Sequence, residues 1–404
     1  MSIEQPVSRR RAVAALVAAS ASVSSVLSAS TPSDTPTRKV GDQSRDDFAG
    51  LLEQTKVPSF AMARVNGAKI STEVLGVTRA DTTQAVTADT VYAAASLTKQ
   101  LVAYVTLDLI VSGAFTLDQP LRDILPLPNP DDPRAPQITA RRLLSHSSGW
   151  PNWRNSPTPP MLSAFDPGTR WQYSGEGFYF LSRVVEKITG KSIPMVLREK
   201  VLLPLGMMRT SMVALESLEP FMAAAHDGRG NTFVPYGRDL ILALRKRMLD
   251  AGKSREEARV PDVEDAFRSL NGNANAVPLP NFLNPNAAAS LLTTANDFGK
   301  FVQHIATAKK AGGRPAEIVK LMMQPQVRCN SAVQWGLGVG LERVGSRDHA
   351  WQWGDNQGYK NYLSIDPEGA AGVVIFTNGD RGARVYERVL RARLGVDRPG
   401  FLWS

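Results

Sequence analysis

The chain has 404 residues, of which 43% are apolar and 21% charged, values that exclude a fibrous or wholly disordered polypeptide and suffice for a packed core. Its 47 Lys and Arg against 38 Asp and Glu leave a net charge of +9, spread too thinly to imply nucleic acid as a partner. The one cysteine, Cys329, excludes an internal disulfide framework and any cysteine-based zinc cluster, and the length exceeds what one hydrophobic core usually organises. One large domain with two lobes, or two domains, is therefore expected.

The first thirty residues carry Arg9, Arg10 and Arg11, then an apolar stretch diluted by serine, then the small residues Ser28 and Ser30. This reads as a signal peptide over 1–30, its apolar run being too short for a bilayer span. The arginines after Ser8 resemble a twin-arginine leader but lack its bulky aromatic, so a general secretory signal stays open. Export to a periplasmic or extracellular space is expected. Residues 31–47, rich in Ser, Thr, Pro and charge, read as a tether, and 48–404 as the folded domain. No later segment approaches a transmembrane length.

Phe60 to Val65 and Ile70 to Val77, joined by an Asn-Gly turn, predict a β-hairpin. From Leu97 to Val111 apolar residues recur almost all round a helix that Gly113 ends, so this helix should be buried. Phe178, Leu181, Val185 and Ile188 predict a second helix closed by Gly190, and Thr294 to about Ile305 a third. Strand patterns return in "GLGVGLERV", "YKNYLSID" and "AGVVIFTNG", ahead of a last helix through Tyr386, Val389 and Leu390. The economical architecture is mixed α/β (α+β): an antiparallel sheet built from both termini, flanked by helices, with an inserted helical lobe within about 115–290 and a cleft between lobes. Within that lobe the stretch 221–289 reads as an excursion over the cleft; a membrane-surface helix over Leu240 to Leu249 is the weaker alternative.

The sequence has no G-x-S-x-G elbow, no H-E-x-x-H, and only four histidines, so no histidine-driven triad is signalled. The glycines from Gly336 to Gly340 lack a surrounding βαβ unit and read as sheet glycines. His146 reads as a hydrogen-bonded structural histidine, with a role as base the minor alternative. The informative segment is "AAASLTKQLVAY", which sets Ser96 and Lys99 three residues apart on one face at the start of the buried helix. Lysine can activate a serine hydroxyl only if burial or neighbouring cations lower its pKa, and the apolar helix offers that burial. The helix start also favours an anion developing beside Ser96. In "PGTRWQYSG", Tyr173 stands at a loop-helix junction, where a phenol with its pKa lowered by a nearby lysine would serve as general base and then acid. In "AWQWGDNQGYKN", Gln352, Trp353, Gly354 and Asp355 lie on a predicted strand. A glycine there permits close approach of substrate, and a strand N–H can complete an oxyanion hole with that of Ser96.

In this order these three segments resemble the serine β-lactamase and penicillin-binding-protein superfamily, most closely its class C β-lactamase-like branch that includes esterases and D-amino-acid peptidases. "LLSHSSGW" and "SLLTTANDFGKF" stand where the resemblance places them, and it runs from about Asp46 to Leu394. It implies an acyl-enzyme hydrolase of esters, amides or peptides, with Ser96 as nucleophile, Lys99 as its activating amine and Tyr173 as proton shuttle. The backbone N–H groups of Ser96 and Asp355 would form the oxyanion hole, and Gly175, Gln352, Trp353 and Gly354 would meet a small-molecule or peptide substrate. No metal or organic cofactor is implied. Gly175 stands where β-lactamases of this branch carry Asn, and Gln352 where they carry Lys and many relatives carry His. A neutral Gln352 gives no charge-assisted anchor for a substrate carboxylate, so esters or small amides are expected ahead of β-lactams. The alternative is a non-catalytic binder of cell-wall peptides or related ligands.

Overall fold

The computed structural model describes residues 45–156, 160–234, 238–280, 283–395 and 397–403, with backbone alone at 46, 402 and 403. The expected signal peptide and most of the expected tether lie outside these residues. Helix α1 (Arg45–Thr55) begins inside the stretch read as tether, because Phe48, Leu51 and Leu52 recur at helical spacing and bury one face. The hairpin follows as β1 (Ser59–Asn66) and β2 (Lys69–Gly76), turning at Gly67, whose φ is +55°. After β3 (Tyr92–Ala93) come a 3₁₀ turn over Ala95–Leu97 and the buried helix α2 (Thr98–Val111).

The inserted lobe holds α3 (Ala140–Leu144), α4 (Gly175–Thr189), α5 (Ile193–Leu197), β4 (Ala225–His226), β5 (Thr232–Phe233), α6 (Arg238–Asp250) and α7 (Val260–Leu270). Gly190 ends α4 in the left-handed region at φ +70°, as its place after the apolar stripe predicts. The chain returns through β6 (Leu292–Thr293) to α8 (Ala295–Ala311) and α9 (Gly313–Met322). Helix α8 outruns its predicted end because Ala306 and Ala308 extend the buried face until Gly312 stops it. The sheet is then completed by β7 (Val327–Arg328), β8 (Val333–Trp335), β9 (Gly340–Val344), β10 (Arg347–Asn356), β11 (Tyr359–Asp366) and β12 (Ala371–Thr377), and α10 (Gly382–Leu394) follows.

The main sheet has eight strands in the order β2-β1-β12-β11-β10-β9-β8-β7. Its paired strands are antiparallel, and β1 meets β12 with Phe60 opposite Thr377, so both ends of the described chain build it, as predicted. Both faces are covered, which explains why β1 and β12 read as nearly unbroken apolar runs. Ala61, Ala63, Val374, Phe376 and Leu363 join the core shared with α2, α4 and α8, whereas Phe60, Met62, Val373, Ile375 and Tyr362 face α1 and α10.

The reading of all the Gly336–Gly340 glycines as sheet glycines needs correction. Only Gly340 lies in a strand; Gly336–Val339 is the β8–β9 connection, closed by Gly336 N–H to Val339 O at 2.8 Å. Gly338 takes φ +80° there, and a Cβ on it would stand 2.1 Å from that of Ala103 on α2. The glycines let the connection press against the buried helix.

Candidate active site

Ser96 sits in the 3₁₀ turn immediately before α2. Ala95, the residue ahead of it, is held at φ +52°, a strained conformation for a side chain with a Cβ. The strain is supported on both sides: Ala94 N–H bonds Leu291 O at 2.7 Å, and Thr98 Oγ1 donates to Ala95 O at 2.6 Å while accepting from Leu291 N–H at 3.0 Å. Strand β3 adds a further tie, since Asn361 Nδ2 of β11 donates to Ala93 O at 2.9 Å. The hydroxyl-bearing turn is thus clamped between the sheet and the chain leading into β6.

Lys99 projects from the first turn of α2 with only 1% of its surface exposed. Its Nζ donates to Ser96 Oγ at 3.1 Å and to Ala288 O at 2.8 Å, and lies 4.8 Å from the Tyr173 ring centroid. Burial lowers its pKa to about 7, because the ammonium form loses hydration that one carbonyl and two rings replace only in part. The pairing of Ser96 with Lys99 is the local geometry that the three-residue spacing predicts.

Tyr173 precedes α4, whose N-cap Ser174 accepts from Gly177 N–H at 2.9 Å. His146 fixes the backbone on both sides of the tyrosine: Gln172 N–H bonds His146 O at 2.7 Å, and Ser174 N–H bonds His146 Nδ1 at 3.0 Å. With Nδ1 accepting, the imidazole proton belongs on Nε2, which is buried without a hydrogen-bond partner. Burial, reinforced by Lys99, holds this histidine's pKa well below its ordinary value, so the ring is neutral and structural. The Tyr173 ring packs on His146 at 4.2 Å and on Trp353 at 5.0 Å between centroids. Its hydroxyl is hydrogen-bonded to Ser96 and accepts from Gln352 Nε2 at 3.2 Å.

Two distant segments therefore bring a hydroxyl, an amine and a phenol together, and a third adds Gln352. The electrostatics of the phenol depart from the sequence reading: burial pushes the Tyr173 pKa up, and the hydrogen bonds from Ser96 and Gln352 offset this only partly. No lowering by lysine operates, because Lys99 is itself depressed towards neutrality and supplies little positive charge. The free base near neutral pH belongs to Lys99, and Tyr173 remains a protonated phenol.

β9 pairs with β10 only from Arg347 to Trp351, so the edge of β10 from Gln352 onward lies beside the 3₁₀ turn instead of beside another strand. Gly354 makes this approach possible, since a Cβ there would come within 2.6 Å of Ala94 O. Asp355 follows on the same edge, and its carboxylate is tied to Lys360 Nζ at 2.6 Å. Trp353 is half-buried against Tyr173, Trp335 and Trp351.

Two expected substrate contacts are placed elsewhere. Gln352 is fully buried, and its amide donates to Tyr173 Oη and to Trp353 O at 3.1 Å. Gly175 lies beneath the Trp153 indole, where a Cβ would be 2.5 Å from a ring carbon. The first of these side chains acts through the tyrosine, and the second position is roofed by an aromatic ring. Sequence reasoning missed Trp153, Asn361 and the Ala288 carbonyl. Trp153, close after "LLSHSSGW", carried a signal as an aromatic in a loop; a backbone carbonyl carries none. Among the described residues, no cluster of three or more His, Cys, Asp or Glu side chains is arranged to hold a metal ion.

Penicillin-binding protein 4 of Amycolatopsis lactamdurans is 28% identical over 250 residues, covering 54% of this chain and 66% of its own length. Esterase EstB of Burkholderia gladioli is 28% identical over 210 residues, covering 44% of this chain and 53% of its own length. The chain thus spans less than two thirds of these curated relatives. Among solved structures, a class C beta-lactamase superposes with a TM-score of 0.68 at 15% identity, over 87% of this chain and 94% of its own. The Beta-Lactamase/D-Alanine Carboxypeptidase from Pseudomonas syringae gives 0.67 at 14% identity, over 88% of this chain and 98% of its own, a likeness of fold. A family model described as Beta-lactamase matches residues 45–397, nearly all of the described chain, and the protein belongs to that family.

Proposed function

We propose that the protein is an exported serine hydrolase that works through an acyl-enzyme on Ser96, with uncharged esters or small amides as its substrates. The observation that carries this reading is the buried Lys99 amine, with a pKa of about 7, at 3.1 Å from Ser96 Oγ. A neutral amine in that position accepts the hydroxyl proton as Oγ attacks a carbonyl carbon. The developing oxyanion would lie between the N–H groups of Ser96 and Asp355, a placement that the close passage of Gly354 past Ala94 supports. Tyr173, kept as a phenol, donates its proton to the leaving group and is reprotonated from Lys99. In the second half, water attacks the ester, losing its proton along the same relay, and Ser96 Oγ recovers a proton as the acid departs.

The substrate class follows from what the site lacks. Gln352 is neutral, buried and engaged with Tyr173, and Gly175 is roofed by Trp153, so neither anchors a carboxylate or an amide side chain. The aromatic surfaces of Trp153, Tyr173 and Trp353 favour an apolar acyl or alcohol group. Similarity to Esterase EstB agrees with an ester substrate. The same two departures favour a second reading, a non-catalytic binder, in which a ligand stabilises the fold and no product forms.

An activated neutral ester such as p-nitrophenyl butyrate should give a burst of nitrophenol and a mass increase of one acyl group on Ser96. Ser96→Ala should lose the adduct and at least about 10³-fold in turnover while keeping the same fold by circular dichroism. Turnover that survives in Ser96→Ala, or stabilisation by the ester without any burst from the native chain, would reject the hydrolase.

A further inference from the structure

A second constellation of buried charge lies at the opposite end of the sheet and takes no part in the chemistry above. Glu342 is fully buried, and Asp366, His349 and Arg398 are 4%, 8% and 8% exposed. Arg398 Nη1 donates to His349 Nδ1 at 2.8 Å and to Ser364 Oγ at 3.0 Å, and stands 3.5 Å from Glu342 Oε1. Its Nε is buried with no hydrogen-bond partner. Because His349 Nδ1 accepts from a cation, the imidazole is neutral and offers no compensating charge; its Nε2 is 3.7 Å from Asp366 Oδ2. Asp366 in turn is engaged by Arg347 at 3.2 Å. The guanidinium is thus deeply placed and opposed by Glu342, yet its Nε–H is left unsatisfied.

A cavity of about 440 Å³ opens over this cluster, lined by His349, Ser364, Asp366 and Arg398, by Ser71 and by the basic side chains of Arg64 and Lys69 from the β1–β2 hairpin. Among the described residues, Arg64 and Lys69 have no acidic partner, whereas the neighbouring Glu73 is engaged by Arg393 at 2.6 Å. Three cations therefore line the cavity, of which Arg398 is opposed from beneath by Glu342 while Arg64 and Lys69 are not, and the lining carboxylate of Asp366 is already engaged by Arg347; the cavity volume suits a small molecule. From His349 to Gly354, which lies against the Ser96 turn, is five residues of strand, about 17 Å at the usual rise. A ligand here would not obstruct the cleft.

We infer that this cavity is a second, anion-binding site, formed by Arg398, Arg64 and Lys69, for a small molecule bearing two or more negative charges. A phosphate ester and a dicarboxylate share that chemistry. Ser71 supplies a hydroxyl for an oxygen that the cations do not reach, whereas Ser364 Oγ donates to Glu342 Oε1 at 3.1 Å and stays within the buried cluster.

The test is calorimetric titration of the full chain with pyrophosphate and, separately, with succinate, at constant ionic strength set by chloride. Saturable one-to-one binding of either anion is expected, persisting in Ser96→Ala. Binding of pyrophosphate alone identifies a phosphate ligand, and binding of succinate alone a carboxylate. The double variant Arg64→Gln/Lys69→Gln, altered only at exposed positions, should weaken that binding about tenfold or more while ester turnover and the Tm without ligand stay unchanged. Absence of saturable binding below about 10 mM of both anions, or binding that the double variant leaves untouched, would overturn the site.

Discussion

Burial of Lys99 ties activity and stability together with opposite signs. With its pKa lowered to about 7, the amine is a free base above neutrality, so kcat/KM should fall about tenfold per pH unit below 7 and level off above it. A log-linear pH–rate profile with no break near 7 would contradict the assignment. In the unfolded chain the same lysine stays protonated to about pH 10.4, so between 7 and 10.4 the unfolded state holds the extra proton and stability rises with pH. Below 7 the folded state bears the full cost of a buried cation. Lys99→Met should therefore abolish turnover yet gain about 1–4 kcal/mol at pH 6, a gain that shrinks towards pH 10, as thermal melts at the two pH values would register. The Ser96 and Lys99 pair was legible because three residues of helix fix it locally. The phenol's protonation was not, because its environment is assembled by His146, Trp353 and Gln352 from two other parts of the chain.

At the level of elements, the start of α4 and the loop around Trp153 define one unit. Gly175 N–H bonds Asn152 O at 2.9 Å, and the absent Cβ of Gly175 leaves the place that the Trp153 ring occupies. Gly175→Ala, conservative by size, should cost about 1–3 kcal/mol because the ring must leave its seat, and Trp153→Ala in the same chain should recover most of that loss. Additive losses in this double-mutant cycle would show that the two do not share the space. Element type was readable where a long apolar stripe met a capping residue, in α4 with Ser174 and Gly190 and in α8 with Thr294, but not in the single-turn α5, although Ser192 caps it. It failed for β3 and β6, two-residue strands that pair Tyr92 with Thr293 and carry no alternation at all, although they hold the Ser96 turn in place.

Across the whole molecule, the region hardest to read in sequence proves to be a small core of its own. Leu240, Leu244 and Met248 of α6 pack with Val260, Val263 and Ala266 of α7 and with Tyr179 of α4, a cluster separate from those on the two sheet faces. Its apolar residues answer one another rather than the main core, so no pattern in the sequence says where they dock. Local opening should be easiest there: amide exchange over α6 and α7 is expected to be at least about tenfold faster than over β1, β11 and β12, by mass spectrometry of deuterated fragments. Equal protection would mean that this excursion unfolds only with the rest. The sheet carries the opposite property. Its hairpin of earliest strands has one side waiting for β12, whose Val373 and Ile375 reach the same packing layer as Met62. During synthesis that flank has no neighbour until Ala371–Thr377 has left the ribosome, so a nascent chain halted before Ala371 should remain a substrate for chaperones and proteases.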